Sequence, residues 1–237
     1  MLLLAVSSAF AQSDAYFAFA LFCNPTCSEE VLTQLDQDLV SIQGRSNFPE
    51  HLKAPGRIMG IADSEFGIPD KDFIDAYGVD VDRPEALSSS QQVVLAWFAA
   101  PSGAAVDTLA MAHAAFAKAA ESSGGWVEDL DTQQLYGLNA WKAQDPRGPI
   151  TNWFVVEATP EDPTAPDGNL RLMTRGLHRF GMPELLVDSV NPELAGDISV
   201  VINSVAESLW QQQALSGAPI QISSPTVKGE ASFALVT

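Results

Sequence analysis

A chain of 237 residues with 46% hydrophobic content, twelve Phe and five Trp holds ample material for a packed core, which excludes general disorder. Thirty acids against twelve bases leave a formal charge of −18. A surface of that sign repels phosphate backbones and anionic lipid, and so argues against nucleic-acid and membrane-surface roles.

Met1 to Phe10 is a short apolar run, and Ala9-Phe10-Ala11 is the small-x-small pattern after which signal peptidases cut. Residues 1–11 are therefore expected to be an export signal, although no Lys or Arg precedes Leu2. The run is about ten residues, half of what a membrane-spanning helix needs. Bulky Phe22 before Cys23 argues against a lipid anchor there. The expected compartment is periplasmic or extracellular, with no membrane insertion after cleavage.

Tyr16 to Phe22 reads as an aromatic-rich strand ended near Pro25. Ser28 caps a helix whose apolar positions Val31, Leu32, Leu35, Leu39 and Ile42 follow helical spacing, with Gly44 as its stop. Arg57 to Ala62 gives a short strand after the Pro55-Gly56 turn. An insertion over 63–85 then carries eight acids against Lys71 and Arg83, and is expected to be a solvated acidic loop.

The plan recurs beyond it. Val93 to Phe98 is a strand, Pro101 breaks it, Ala104 to Ala120 is an alanine-rich helix ended by Gly124-Gly125, and Trp126-Val127 starts another strand. Phe22-Cys-Asn-Pro25 and Phe98-Ala-Ala-Pro101 mark the same junction 76 residues apart. Two β-α-β passes, about 15–62 and 91–128, predict an α+β fold with a ferredoxin-like antiparallel sheet and both helices on one face. Downstream, Ile150 to Ala158 alternates and Leu170 to Thr174 and Leu185 to Val187 read as strands. Asn191-Pro192 opens a long helix with Ile198, Val201, Ile202, Val205, Leu209 and Trp210 on its apolar side. A single domain over 12–215 is expected, with edge strands or a tail over 216–237.

Gly124-Gly-Trp-Val-Glu-Asp129, followed by Thr132, Leu135 and Trp141, resembles a stretch found in bacterial families labelled as domains of unknown function. Leu170-Arg-Leu-Met-Thr-Arg-Gly-Leu-His-Arg-Phe-Gly-Met-Pro-Glu-Leu185 does so too. The resemblance covers the C-terminal half. It implies an α+β fold and a bacterial source, and it carries over no activity and no catalytic residue.

Arg171, Arg175, His178 and Arg179 form the most unusual cluster, three of the twelve bases falling within nine residues of an acidic chain. Arginine forks bind carboxylate or phosphate at two points, so the cluster is a candidate site for a small anionic ligand. The competing expectation is pairing with the chain's own acids, such as Glu157 or Asp188. Cys23 and Cys27 stand at a strand-to-helix junction, where a helix N-terminus lowers a thiol's pKa. Their CxxxC spacing differs from the CxxC of thiol-redox enzymes, and Asn24 stands where peroxiredoxins place Thr or Ser. A structural disulfide is expected, with thiol-dependent redox catalysis as the rival reading.

Asp129-Leu-Asp131-Thr-Gln133 opens like a calcium loop, but Gln134 replaces the required Gly. Three scattered His (His51, His113, His178) and two Cys make no zinc site. There is no Gly-x-Ser-x-Gly elbow, Ser-x-x-Lys, His-Glu-x-x-His, dinucleotide fingerprint or P-loop. The sequence thus points to an exported, non-catalytic binding or interaction domain without metal or cofactor. Its expected partner is another protein or a small anionic ligand.

Overall fold

The computed structural model describes residues 15–43, 57–60, 67–162, 164, 168–213 and 233–236, the backbone alone at 43, 57–60, 212–213 and 233–236. The expected export signal, His51, the helix stop at Gly44 and Pro219 to Ser223 lie outside the described residues. The fold is α+β. It is organised as two compact units, one over 14–147 and one that holds the residues from 148 on. The strands of the two units belong to separate sheets. Asp145-Pro-Arg-Gly-Pro149 lies at the division, where two prolines in five residues withhold backbone donors from any shared ladder.

The first unit contains the two β-α-β passes. Strand β1 (Ala15–Phe22), helix α1 (Glu29–Gln43) and strand β2 (Arg57–Gly60) form the first pass. Strand β4 (Gln92–Ala100), helix α4 (Ala105–Ser123) and strand β5 (Trp126–Asp129) form the second. Ser28 Oγ accepts from Val31 N at 3.3 Å and caps α1, and Gly124 closes α4 at φ 63°. The order β2-β4-β1-β5, antiparallel throughout, is the ferredoxin-like arrangement, with each pass spanning one strand of the other. The helices pack together on one face, where Lys118 reaches Asp38 at 3.7 Å.

Side-chain alternation along β1 sorts the core into two layers. Phe17, Phe19 and Leu21 face the helices. Phe17 stacks on Phe98 at 4.8 Å, and Phe19 meets Phe116 edge-on at 5.5 Å and Trp141 at 5.0 Å. Each such ring contributes about 2–3 kcal/mol by leaving water. The alanines of α4 that line its buried face, among them Ala112 and Ala120, keep that helix close to the sheet. Ala18, Ala20 and Phe22 point to the opposite face.

The acidic insertion is structured where a solvated loop was expected. It forms α2 (Lys71–Tyr77), β3 (Gly78–Val79) and α3 (Pro84–Leu87). Asp70 caps α2 by accepting from Phe73 N at 2.8 Å. Ile68, Phe73, Ile74, Val81, Ala86 and Leu87 pack onto Ala20, Phe22, Val93, Leu95, Trp126 and Leu135. Its described acids, Asp70 to Glu85, stay outside while apolar residues recur among them, so one segment is both solvated and docked. β3 pairs in parallel with β6 (Gln134–Tyr136), and these two strands extend the sheet beyond β5. Helix α5 (Leu138–Ala143) follows, beside α4.

The second unit is an antiparallel sheet in the order β10-β9-β8-β7, built from β7 (Val155–Pro160), β8 (Leu170–Arg175), β9 (Glu184–Val190) and β10 (Phe233–Val236). Helix α6 (Ala195–Gln213) lies against β7, β8 and β9. Ile198, Ile202, Val205, Ala206 and Leu209 are its buried stripe, and Trp210 packs on Phe180 at 5.2 Å.

Candidate functional site

The arginine cluster sits on β8 and the turn after it. Gly176 (φ 111°) and Gly181 (φ 69°) adopt left-handed backbone and bracket a 3-10 turn, Leu177–Phe180. A Cβ at Gly176 would lie 2.7 Å from the Trp153 carbonyl oxygen. Arg171 pairs with Asp188 at 2.6 Å across β8 and β9, and Arg175 pairs with Glu157 at 2.7 Å across β8 and β7. Asp188 holds the Arg171 guanidinium above its ordinary pKa by hydrogen bond and charge. Arg179 is fully buried, its guanidinium 5.7 Å from the centre of the Trp153 ring. The four bases are thus engaged within the protein, on separate partners.

His178 belongs to the network of Glu184, a residue the sequence reading did not single out. Glu184 Oε1 accepts from Gly176 N at 3.0 Å, His178 N at 3.2 Å and His178 Nδ1 at 2.8 Å. Its Oε2 accepts from Thr174 Oγ1 at 2.6 Å, and Thr174 Oγ1 accepts from Leu185 N at 2.7 Å. Burial raises the Glu184 pKa, but the donors from His178 and Thr174 outweigh it and the carboxyl ends below its usual range. This carboxylate stitches β8, the turn and β9 together. The Gly-Leu-His-Arg run followed by Glu six residues after His178 is the signal a sequence could offer.

Cys23 and Cys27 form a disulfide with Cα atoms 5.2 Å apart. Both residues are buried, at 0% and 6% exposure, and Cys27 N donates to Gln92 Oε1 at 3.0 Å. Buried sulfurs at the end of β1 are poorly placed for attack by an incoming thiolate. The Asp129 segment is a turn. Asp129 Oδ1 accepts from Asp131 N at 3.1 Å and Thr132 N at 3.4 Å, closing the β5–β6 hairpin. Among the described residues no group of three His, Cys, Asp or Glu is arranged to hold a metal ion.

A different constellation lies on the face of the first sheet opposite α1 and α4, the face that α2 and α3 cover in part. Register places Ala18 opposite Trp97 and Tyr16 opposite Ala99, so Tyr16 and Trp97 are diagonal neighbours on one face. They are 41% and 39% exposed, unusual for large rings on central strands. Glu128 shares that face, opposite Ala20. It is only 8% exposed, and burial with the adjacent Asp129 charge raises its pKa to about 7. No hydrogen bond or cation among the described residues favours its charged form. Strict alternation in Trp126-Val127-Glu128 is the signal that could have found it, since it sets an acid on the face where Trp126 is buried.

No protein-family model, curated protein sequence or solved structure matches this chain. Functional inference rests on the geometry.

Proposed function

We propose that this protein is an exported, non-catalytic binding domain whose contact surface is the part of its first sheet around Tyr16 and Trp97, on the face opposite α1 and α4. The observation that carries this reading is the exposure of both rings on central strands, β1 and β4, whose other large side chains are buried. Aromatic side chains supply large contact area at small entropic cost, which suits them to anchoring a partner. The charge of −18 makes a nucleic-acid partner unfavourable, so the partner is a protein. The Cys23–Cys27 disulfide is compatible with an oxidising compartment.

Both rival readings lack a comparable observation. Anion capture at Arg171 and Arg175 would have to displace Asp188 and Glu157. Redox work would need access to sulfurs that are buried.

A photoreactive amino acid placed in turn at positions 16, 97 and 200 tests the proposal in the native cell. Val200 is 63% exposed and lies in the other unit, so it reports random collisions. A discrete adduct from positions 16 and 97 that is absent at 200 is the expected result. Equal or absent adducts at all three would remove this face from consideration.

A further inference from the structure

The insertion that carries α2, β3 and α3 closes over a carboxyl. On the face opposite α1 and α4, Glu128 has Ala20 beside it on β1, Leu135 beside it on β6 and Trp126 two residues before it on β5. All three are fully buried, in the layer on which Ile68, Phe73, Ile74, Val81 and Ala86 pack. Glu128 itself is buried with them.

The charges around it do not compensate a carboxylate. Residues 68–87 carry six acids, Asp70, Asp72, Asp75, Asp80, Asp82 and Glu85, against Lys71 and Arg83. Lys71 pairs with Asp75 and Arg83 with Asp82, so the insertion's own acids engage both of its bases. The Trp126 indole N–H is likewise engaged, donating to the Asp82 carbonyl at 2.9 Å. On the sheet, Asp129 points to the opposite face and adds repulsion, and Asp131 in the hairpin turn is a further acid. Tyr136, also on the opposite face, donates to Gln134 Oε1 at 2.6 Å. A neutral acid tolerates this setting. A charged one meets both desolvation and an insertion of its own sign, and the Glu128 pKa is raised to about 7.

The contacts that hold the insertion can open without the rest of the sheet. No residue of α2 is fully buried, and Leu87 is the buried residue of α3. β3 joins the sheet at its edge through two residue pairs, Gly78 with Leu135 and Val79 with Tyr136. The C-terminal end is anchored, because Gln91 N donates to the Pro25 carbonyl at 2.8 Å and Ser90 Oγ donates to the Cys23 carbonyl. The segment before Ser90 can therefore lift while its root stays in place.

We infer that residues 68–87 form a flap over the first sheet that is released by deprotonation of Glu128. The flap docks over the neutral acid, and lifting it returns the carboxylate to water. A folded pKa above the ordinary 4.5 makes docking strongest in acid and weaker as pH rises through about 7, by about 300-fold in total. Release bares Phe22, Trp126 and Leu135 on the face that carries Tyr16 and Trp97. The inference stands whether or not those two rings anchor a partner.

Native-state hydrogen exchange of the full-length protein, expressed as protection relative to the free rate, reads flap opening. The probes are Gly137 N, which donates to the Val79 carbonyl at 3.1 Å, and Trp126 Nε1, whose acceptor Asp82 also lies on the flap. Amides of β1 and β4 report global unfolding. The flap probes should be less protected than those strands, respond little to urea, and lose protection tenfold or more between pH 5.5 and pH 8. Glu128→Gln and Glu128→Leu should each abolish that loss. Circular dichroism checks that they fold, and one folded variant is sufficient. Equal flap protection at the two pH values, flap and strand probes sharing one protection, or a loss that persists in a folded Glu128 variant would each overturn the inference.

Discussion

His113 and Trp141 hydrogen-bond to each other's backbone. His113 Nε2 donates to the Trp141 carbonyl at 2.7 Å, and Trp141 Nε1 donates to the His113 carbonyl at 3.2 Å. A carbonyl only accepts, so Nε2 of the neutral ring carries the proton. The two rings also lie 4.7 Å apart. This double latch ties α5 to α4 and places Trp141 against Phe19 on the sheet. His113, isolated in the sequence, is a packing residue.

That latch has a pH signature. Burial lowers the His113 pKa, against the opposing influence of the Trp141 carbonyl and of Asp145. The folded state therefore resists protonation that the unfolded chain accepts at about 6.5. The resulting stability is complete above that value and declines as pH falls below it. Urea melts from pH 7.5 to 5 should show this decline, and His113→Gln should flatten it. Trp141→Ala should cost about 3–5 kcal/mol at any pH, because it leaves a cavity beside Phe19.

Glu128 gives the opposite slope. Its folded pKa of about 7 exceeds its ordinary 4.5, so the folded state holds a proton that the unfolded chain has lost. Stability should decline as pH rises from about 4.5 to about 7, by about 3 kcal/mol in total. Glu128→Gln keeps the neutral shape and should raise the melting temperature at pH 8 while changing little at pH 4.5. Calorimetry at those two pH values checks the sign.

Glu184 should behave as a conventional stabilising carboxylate. Its folded pKa is depressed, so its contribution is present above about 4.5 and is lost as pH falls through the lower folded value. Glu184→Ala strands the donors of Gly176, His178 and Thr174, at a cost of about 2–4 kcal/mol. Amide hydrogen exchange should show faster opening at Gly176, His178 and Leu185 in that variant. Unchanged protection would mean that the carboxylate does not hold the turn.

The arginines should separate by burial. Arg171 and Asp188 are both well exposed, so Arg171→Ala should leave the melting temperature within experimental scatter. Arg175 and Glu157 are each about three-quarters buried, and Arg175→Ala should destabilise by about 1–2 kcal/mol. Phosphate or citrate should not raise the melting temperature of the parent protein. A rise that vanishes in the Arg171→Ala, Arg175→Ala double variant would restore the anion-site reading.

The disulfide closes a short loop, so Cys23→Ser with Cys27→Ser should cost about 1–3 kcal/mol. Binding at the sheet face should survive the change. Thermal melts with and without reductant provide the comparison.

The first sheet was legible in the sequence because its signals are local. Aromatic alternation over Tyr16 to Phe22, proline breaks at Pro25 and Pro101, and the apolar spacing of α1 and α4 each act within a few residues. Duplication of that plan then dictates the strand order, since two split β-α-β passes interleave in this way. The acidic insertion misled because charge dominates its composition. Its docking depends on Phe73, Ile74 and Leu87 meeting a sheet face assembled from distant strands. The division at Gly148 was likewise a matter of which strands found hydrogen-bond partners, which composition does not encode. The sequence determined that Arg171 and Arg175 sit in an acidic chain; only tertiary structure decided that Asp188 and Glu157 lie across the ladder from them. It also set Glu128 one residue from Val127, a trivial neighbour. The burial of that carboxyl next to β1, on the same face as Trp97, exists only once three strands spread over more than a hundred residues of chain pair in register.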